Sequence, residues 1–139
     1  MLDDDIALLL DRLMRYAHHG LHQRADRLHA GEIQPSDGML LLTLARIEPA
    51  PMHVLAATLA RHKSQVTRTV QKLEAKGWIT RGAQQDDGRV CVLSLTPKGQ
   101  TIADELRRAI GATLRDLLDP LSPAERQTLR DLLTKVLED

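Results

Sequence analysis

The sequence predicts a mainly α-helical chain with one small β-hairpin set between helices, and three observations carry that reading. Twenty-five of the 139 residues are leucine and none is phenylalanine, which favours an aliphatic, helical core. Apolar residues recur at gaps of three and four along both ends of the chain, the period of a helix. Between Trp78 and Leu95 the pattern changes to the alternation of strands.

The first helix is expected from Asp5 to about Leu28, with Ile6, Leu9, Leu10, Leu13, Met14, Ala17 and Leu21 forming a stripe broad enough to need burial. A second starts at Gln34-Pro35, where proline at the first helical position loses nothing by lacking an N–H. It carries Leu40, Leu41, Leu44 and Ile47 and stops before Glu48-Pro49-Ala50-Pro51. A short third helix covers about Met52 to Ala60, with Val54, Leu55 and Leu59 inward. The fourth runs from about His62 to Lys76 on a buried row of Val66, Val70 and Leu73, and Gly77 follows as its C-terminal cap.

Trp78-Ile79-Thr80-Arg81 then reads as a strand, Gly82 to Gly88 as a turn, and Arg89 to Leu95 as the return strand. In the return strand Cys91 alternates in step with Leu93 and Leu95, which predicts a small buried hydrophobe rather than a redox thiol. Thr96-Pro97 caps a long fifth helix whose apolar stripe is Ile102, Leu106, Ile110, Leu114 and Leu117. Ser122-Pro123-Ala124-Glu125 is a capping box opening a last helix with Leu129, Leu132, Leu133 and Val136.

Charge is balanced at 19 basic and 19 acidic residues, yet unevenly distributed. From Arg61 to Lys98 eight Lys/Arg face three acids, a local excess of five that the rest of the chain offsets. A cationic centre is the electrostatic footprint expected for a polyanion. One cysteine excludes an internal disulfide framework. With no long apolar run and an acidic start at Asp3-Asp4-Asp5, a soluble cytoplasmic protein is expected, with no membrane partner.

Two adjoining short helices followed by a hairpin make a winged helix-turn-helix, whose second helix lies in the major groove of double-stranded DNA. The buried row fixes the outward face: Ser64, Gln65, Arg68, Gln71 and Lys72, with Thr67 on the flank. Arginine bonds guanine O6 and N7, glutamine bonds adenine, and hydroxyls suit bases or phosphates. In the hairpin, Asp87-Gly88-Arg89 offers Arg89 as a minor-groove probe held by Asp87. The long stripes at both ends exceed what so small a unit can cover, so a homodimer is expected, with recognition helices about 34 Å apart. Residues 1–33 and 97–139 are assigned to the helical dimerisation region. Residues 34–96 form the winged unit, with its recognition helix at about 62–76 and its wing at about 78–95.

Leu55-Ala56, Lys63-Ser64-Gln65-Val66-Thr67-Arg68 and Leu73-Glu74-Ala75-Lys76-Gly77-Trp78-Ile79 together resemble the MarR (multiple antibiotic resistance regulator) family. So does Asp87-Gly88-Arg89 followed by Leu93-Ser94-Leu95-Thr96-Pro97-Lys98-Gly99. The resemblance implies a regulator whose first and last helices interlock into a homodimer binding a pseudo-palindromic operator; a repressor whose hold on DNA is loosened by a small-molecule or ionic effector is expected. It also implies recognition and wing roles for Ser64, Thr67, Arg68, Asp87 and Arg89. The chain departs from the family pattern at Gly38, where an aromatic is frequent, and at Pro51-Met52-His53, where a Ser/Thr cap is common.

His18 and His22, one helical turn apart with Asp26 continuing the face, could chelate a metal or line an effector cavity. They define the alternative of a metal-responsive regulator; no metal or other cofactor is required by the main reading. A winged helix used for protein contact alone is the other alternative, against which the basic face argues. An enzyme is not expected, since no nucleophile–histidine pair, phosphate loop or acid/base dyad stands at a telling spacing.

Overall fold

The computed structural model describes residues 2–27, 33–84 and 87–138, with side chains for all of these except 2–3, 35, 84 and 87–90. The expected end of the first helix at Leu28 and part of the expected hairpin turn lie outside the described residues. Among the described residues, six helices and three strands follow in the order α1 (Leu2–Ala25), α2 (Pro35–Ile47), β1 (Ala50–Pro51), α3 (Met52–Thr58), α4 (Lys63–Ala75), β2 (Ile79–Gln84), β3 (Asp87–Leu95), α5 (Pro97–Leu118) and α6 (Pro123–Leu137). Two compact units divide them: Met1–Leu21 with Ile110–Asp139, and His22–Ala109.

The second unit holds the core. Leu40, Leu41 and Leu44 of α2 and Leu55 of α3 are fully buried with Val66, Val70 and Leu73 of α4. Trp78, Leu93 and Ile102 belong to the same cluster. Antiparallel β3 is the central strand, pairing β2 from Ile79↔Leu95 to Ala83↔Cys91 and β1 through Ala50↔Leu93 and Pro51↔Val92. Gly38 is buried beneath Leu106 of α5, whose Cδ1 would stand 3.4 Å from any added Cβ, so leucine from another helix occupies the space an aromatic would need.

Backbone caps set the joints. Gly77 takes φ +77°, its N–H donates to Glu74 O at 2.9 Å, and Trp78 N–H donates to Leu73 O at 3.0 Å, the pair of hydrogen bonds that closes a helix end through a left-handed residue. Thr96 Oγ1 accepts from Gly99 N at 3.0 Å and donates to Gly77 O at 2.6 Å, joining the start of α5 to the end of α4. Ala60, between α3 and α4, has φ 52° without being glycine. Ser122 and Glu125 form the full reciprocal box at α6.

Four expectations are corrected. Strand β1 pairs with β3, although Pro49-Ala50-Pro51 reads only as a helix stop, because a two-residue strand has no periodic signal of its own. Gly82, Ala83 and Gln84 belong to β2 and Asp87-Gly88 to β3, so pairing extends far into the expected turn. Val54 is exposed at 38 %, since two turns of α3 bury Leu55 and Ala56 on a different side. Cys91 is exposed: at Ala83↔Cys91 the hairpin has run past the core, so continued alternation no longer means burial.

Candidate nucleic-acid interface

Helix α4 is amphipathic because Val66, Val70 and Leu73, at gaps of four and three, fill one side of it and are buried. Ser64, Gln65, Arg68, Gln71 and Lys72 therefore project from the other side, and all five are exposed. Among the described residues, the side chains of Ser64, Gln65, Arg68 and Gln71 have no hydrogen-bond or ionic partner. They form a set of exposed donors and acceptors. Thr67 is half-buried, and its hydroxyl donates to Lys63 O at 2.7 Å, which leaves the oxygen free to accept.

Lys72 is placed differently from its neighbours on that face. Its Nζ lies 2.5 Å from Asp37 Oδ2 on α2, and that carboxylate is buried. Arg61, just ahead of α4, donates from Nη1 to Ser36 O at 3.3 Å. On the wing side, Arg81 of β2 sends Nε and Nη2 to the same Glu74 oxygen at 2.9 and 2.8 Å. That hydrogen bond holds the Arg81 guanidinium above the ordinary arginine range. Lys76 Nζ sits 4.8 Å from the centre of the Trp78 ring.

Asp87 and Arg89 lie on the first turnward residues of β3, and their side chains are outside those described. His18 and His22 are on α1 and both exposed, as is Asp26 just beyond it. Two open hollows along α1 are lined by Leu8, Leu9, Arg12, Arg15, Tyr16 and His19 with Asp5, and neither includes His18 or His22. Among the described residues no cluster of three or more His, Cys, Asp or Glu side chains could hold a metal ion. Sequence reasoning missed Asp37 altogether. An acid in the first turn of a helix reads as a dipole partner, and nothing local shows that it is buried beneath a lysine 35 positions away.

Residues 32–90 match the model of the MarR family. The transcriptional repressor MprA of Escherichia coli K12 is 31 % identical over 136 residues, covering 94 % of this chain and 76 % of that protein. The chain belongs to the MarR family. Among solved structures, a probable transcriptional regulator from Pseudomonas aeruginosa is 29 % identical, with TM-score 0.70 over 99 % of this chain and 100 % of that one. FabT of Streptococcus pneumoniae, solved in complex with DNA, superposes with TM-score 0.84 at 21 % identity, over 96 % of this chain and 93 % of FabT. That last likeness is one of fold: a mainly helical arrangement with a small antiparallel sheet.

Proposed function

We propose that this MarR-family chain is a sequence-specific DNA-binding transcription regulator, acting as a homodimer and most simply as a repressor. The observation that carries the reading is the outward face of α4, where Ser64, Gln65, Arg68 and Gln71 stand exposed and unpartnered among the described residues, opposite a fully buried row. Such a helix enters a major groove with its first two turns against base edges, Arg68 reading guanine and Gln65 adenine, with Gln71 following on the same face in the next turn. Asp87 and Arg89 serve the wing. The repressor MprA among its relatives and the DNA complex of FabT support the same assignment.

The homodimer rests on apolar surface. Within the first unit, Leu8, Leu9 and Met14 of α1 and Leu132, Val136 and Leu137 of α6 are exposed, and α6 buries none of its residues. A two-fold partner covering these stripes satisfies them and repeats α4 at about one DNA turn. Residues 1–33 and 97–139 are the pairing region in this reading, and 34–96 the DNA-reading one. No described helix is long and apolar enough to cross a membrane, in keeping with a cytoplasmic regulator. A small-molecule effector that loosens the DNA completes the scheme, with His18 and His22 as its candidate contacts.

Capture of genomic fragments on the purified protein, sequenced and followed by gel shift across a salt series, tests the function. The expected result is an enriched pseudo-palindrome whose binding constant falls steeply, and linearly on logarithmic axes, as salt rises. Capture without enrichment, or affinity indifferent to salt, ends the proposal.

A further inference from the structure

We infer that Lys72 positions the recognition helix instead of contacting DNA, and that Asp37 is its partner in that task. The inference rests on the DNA-reading role of α4 proposed above. Asp37 stands in the first turn of α2 with its side chain 6 % exposed, while the Lys72 side chain is 44 % exposed and brings Nζ to 2.5 Å from Oδ2. A carboxylate so far from water is stable only while its charge is matched. An ammonium that swung away to a phosphate would abandon that carboxylate, so the groove has a poor claim on Lys72. Arg68 is one helical turn earlier on the same side and has no ionic partner among the described residues. The two cations on one face thus divide into a free reader and a fixed strut.

The place of the strut gives it its effect. Lys72 lies in the last turn of α4, and Arg61, whose Nη1 reaches Ser36 O at 3.3 Å, lies just before the first. The opening turn of α2 is therefore held from both ends of the recognition helix. Successive residues of a helix point about 100° apart, so a small roll of α4 exchanges the side chains that face the bases. The Asp37–Lys72 pair sets that roll, together with the buried row that ends at Leu73.

The test uses the full chain as wild type, Lys72→Met, Asp37→Asn, the double variant and Lys72→Arg. Its probes are a duplex selected by the wild type from a random pool and a scrambled duplex of equal length. Affinities are measured across a salt series, with the active fraction counted by stoichiometric titration. Each single neutral variant should lose about tenfold on the selected duplex and little on the scrambled one, with the salt slope unchanged. The double variant should be no worse than the poorer single, since the two act as one unit. Lys72→Arg should bind the selected duplex within about twofold of wild type. An equal loss on both duplexes for Lys72→Met, with a slope shallower by about one, would make Lys72 a phosphate contact and overturn the inference. So would an Asp37→Asn protein that binds as tightly as wild type. A wild type that selects no sequence refutes the DNA-reading role itself, a result distinguishable from either.

Discussion

Glu74 Oε1 receives both Nε and Nη2 of Arg81, at 2.9 and 2.8 Å, and so ties the last turn of α4 to the first wing strand. The pair is partly open to solvent, which limits what it adds to stability. Glu74→Gln or Arg81→Met should each cost about 0.5–1 kcal/mol in urea unfolding, with a double-mutant cycle recovering most of that as coupling. The hydrogen bond to Glu74 raises the Arg81 pKa on folding, so its contribution is complete below the unfolded arginine pKa and fades only as pH climbs through the raised value. Between about pH 6 and 9 the Arg81 share should therefore be flat.

Arg68→Ala should weaken operator binding by about 1–3 kcal/mol and relax the preference at one base position, seen by comparing selected sequences for the two proteins. Arg89→Ala should lower affinity most where the flanks are A·T-rich, because a narrow minor groove concentrates negative potential. Operator gel shifts untouched by both changes would remove these residues from the interface.

Leu9 is 62 % and Val136 78 % exposed within the single chain. Arginine at either position should raise the dimer dissociation constant by about tenfold or more, since a charge then takes the place of apolar contact area. Sedimentation equilibrium would show a concentration-dependent shift toward single chains. Unaltered sedimentation in both variants would place the pairing surface elsewhere.

Gly99→Ala should be severe. A Cβ there would stand 2.0 Å from Trp78 O and 2.9 Å from Trp78 C, which is backbone against backbone with no flexible group to yield. A cost of about 3 kcal/mol is expected, the upper end for overpacking, read as a fall in the urea midpoint.

The Glu125 carboxyl lies below its usual value because it accepts from the Ser122 backbone N–H and belongs to the reciprocal cap with the Ser122 hydroxyl. A depressed folded pKa means the cap's contribution is present above the ordinary value and is lost as pH falls through the lowered one. The amide signals of Ser122 and Glu125 should titrate together in NMR below pH 4.5, the unperturbed carboxylate value, and Glu125→Gln should abolish that shared titration.

What could be read in advance was what is written locally. The row Val66, Val70, Leu73 and the stop at Gly77 fixed the orientation of α4, because period and cap both act within a few residues. The Ser122 box was legible for the same reason. Relations across the fold were not. Asp37 and Lys72 share no pattern, and the two residues of β1 become a strand only when β3 lies beside them. Cys91 misled because alternation reports which face a side chain is on, not whether anything packs on that face. At Gly38 the sequence showed a missing aromatic without the Leu106 that fills its room.

Ala60 turns the corner between α3 and α4 at φ 52°, a conformation that costs an L-residue about 1 kcal/mol and glycine almost nothing. Glycine there would recover that sum less the greater freedom it gives the unfolded chain, leaving a few tenths of a kcal/mol or so in hand. The corner thus holds slack that selection has not taken up, as expected of a chain kept above a threshold of sturdiness and not driven to its maximum.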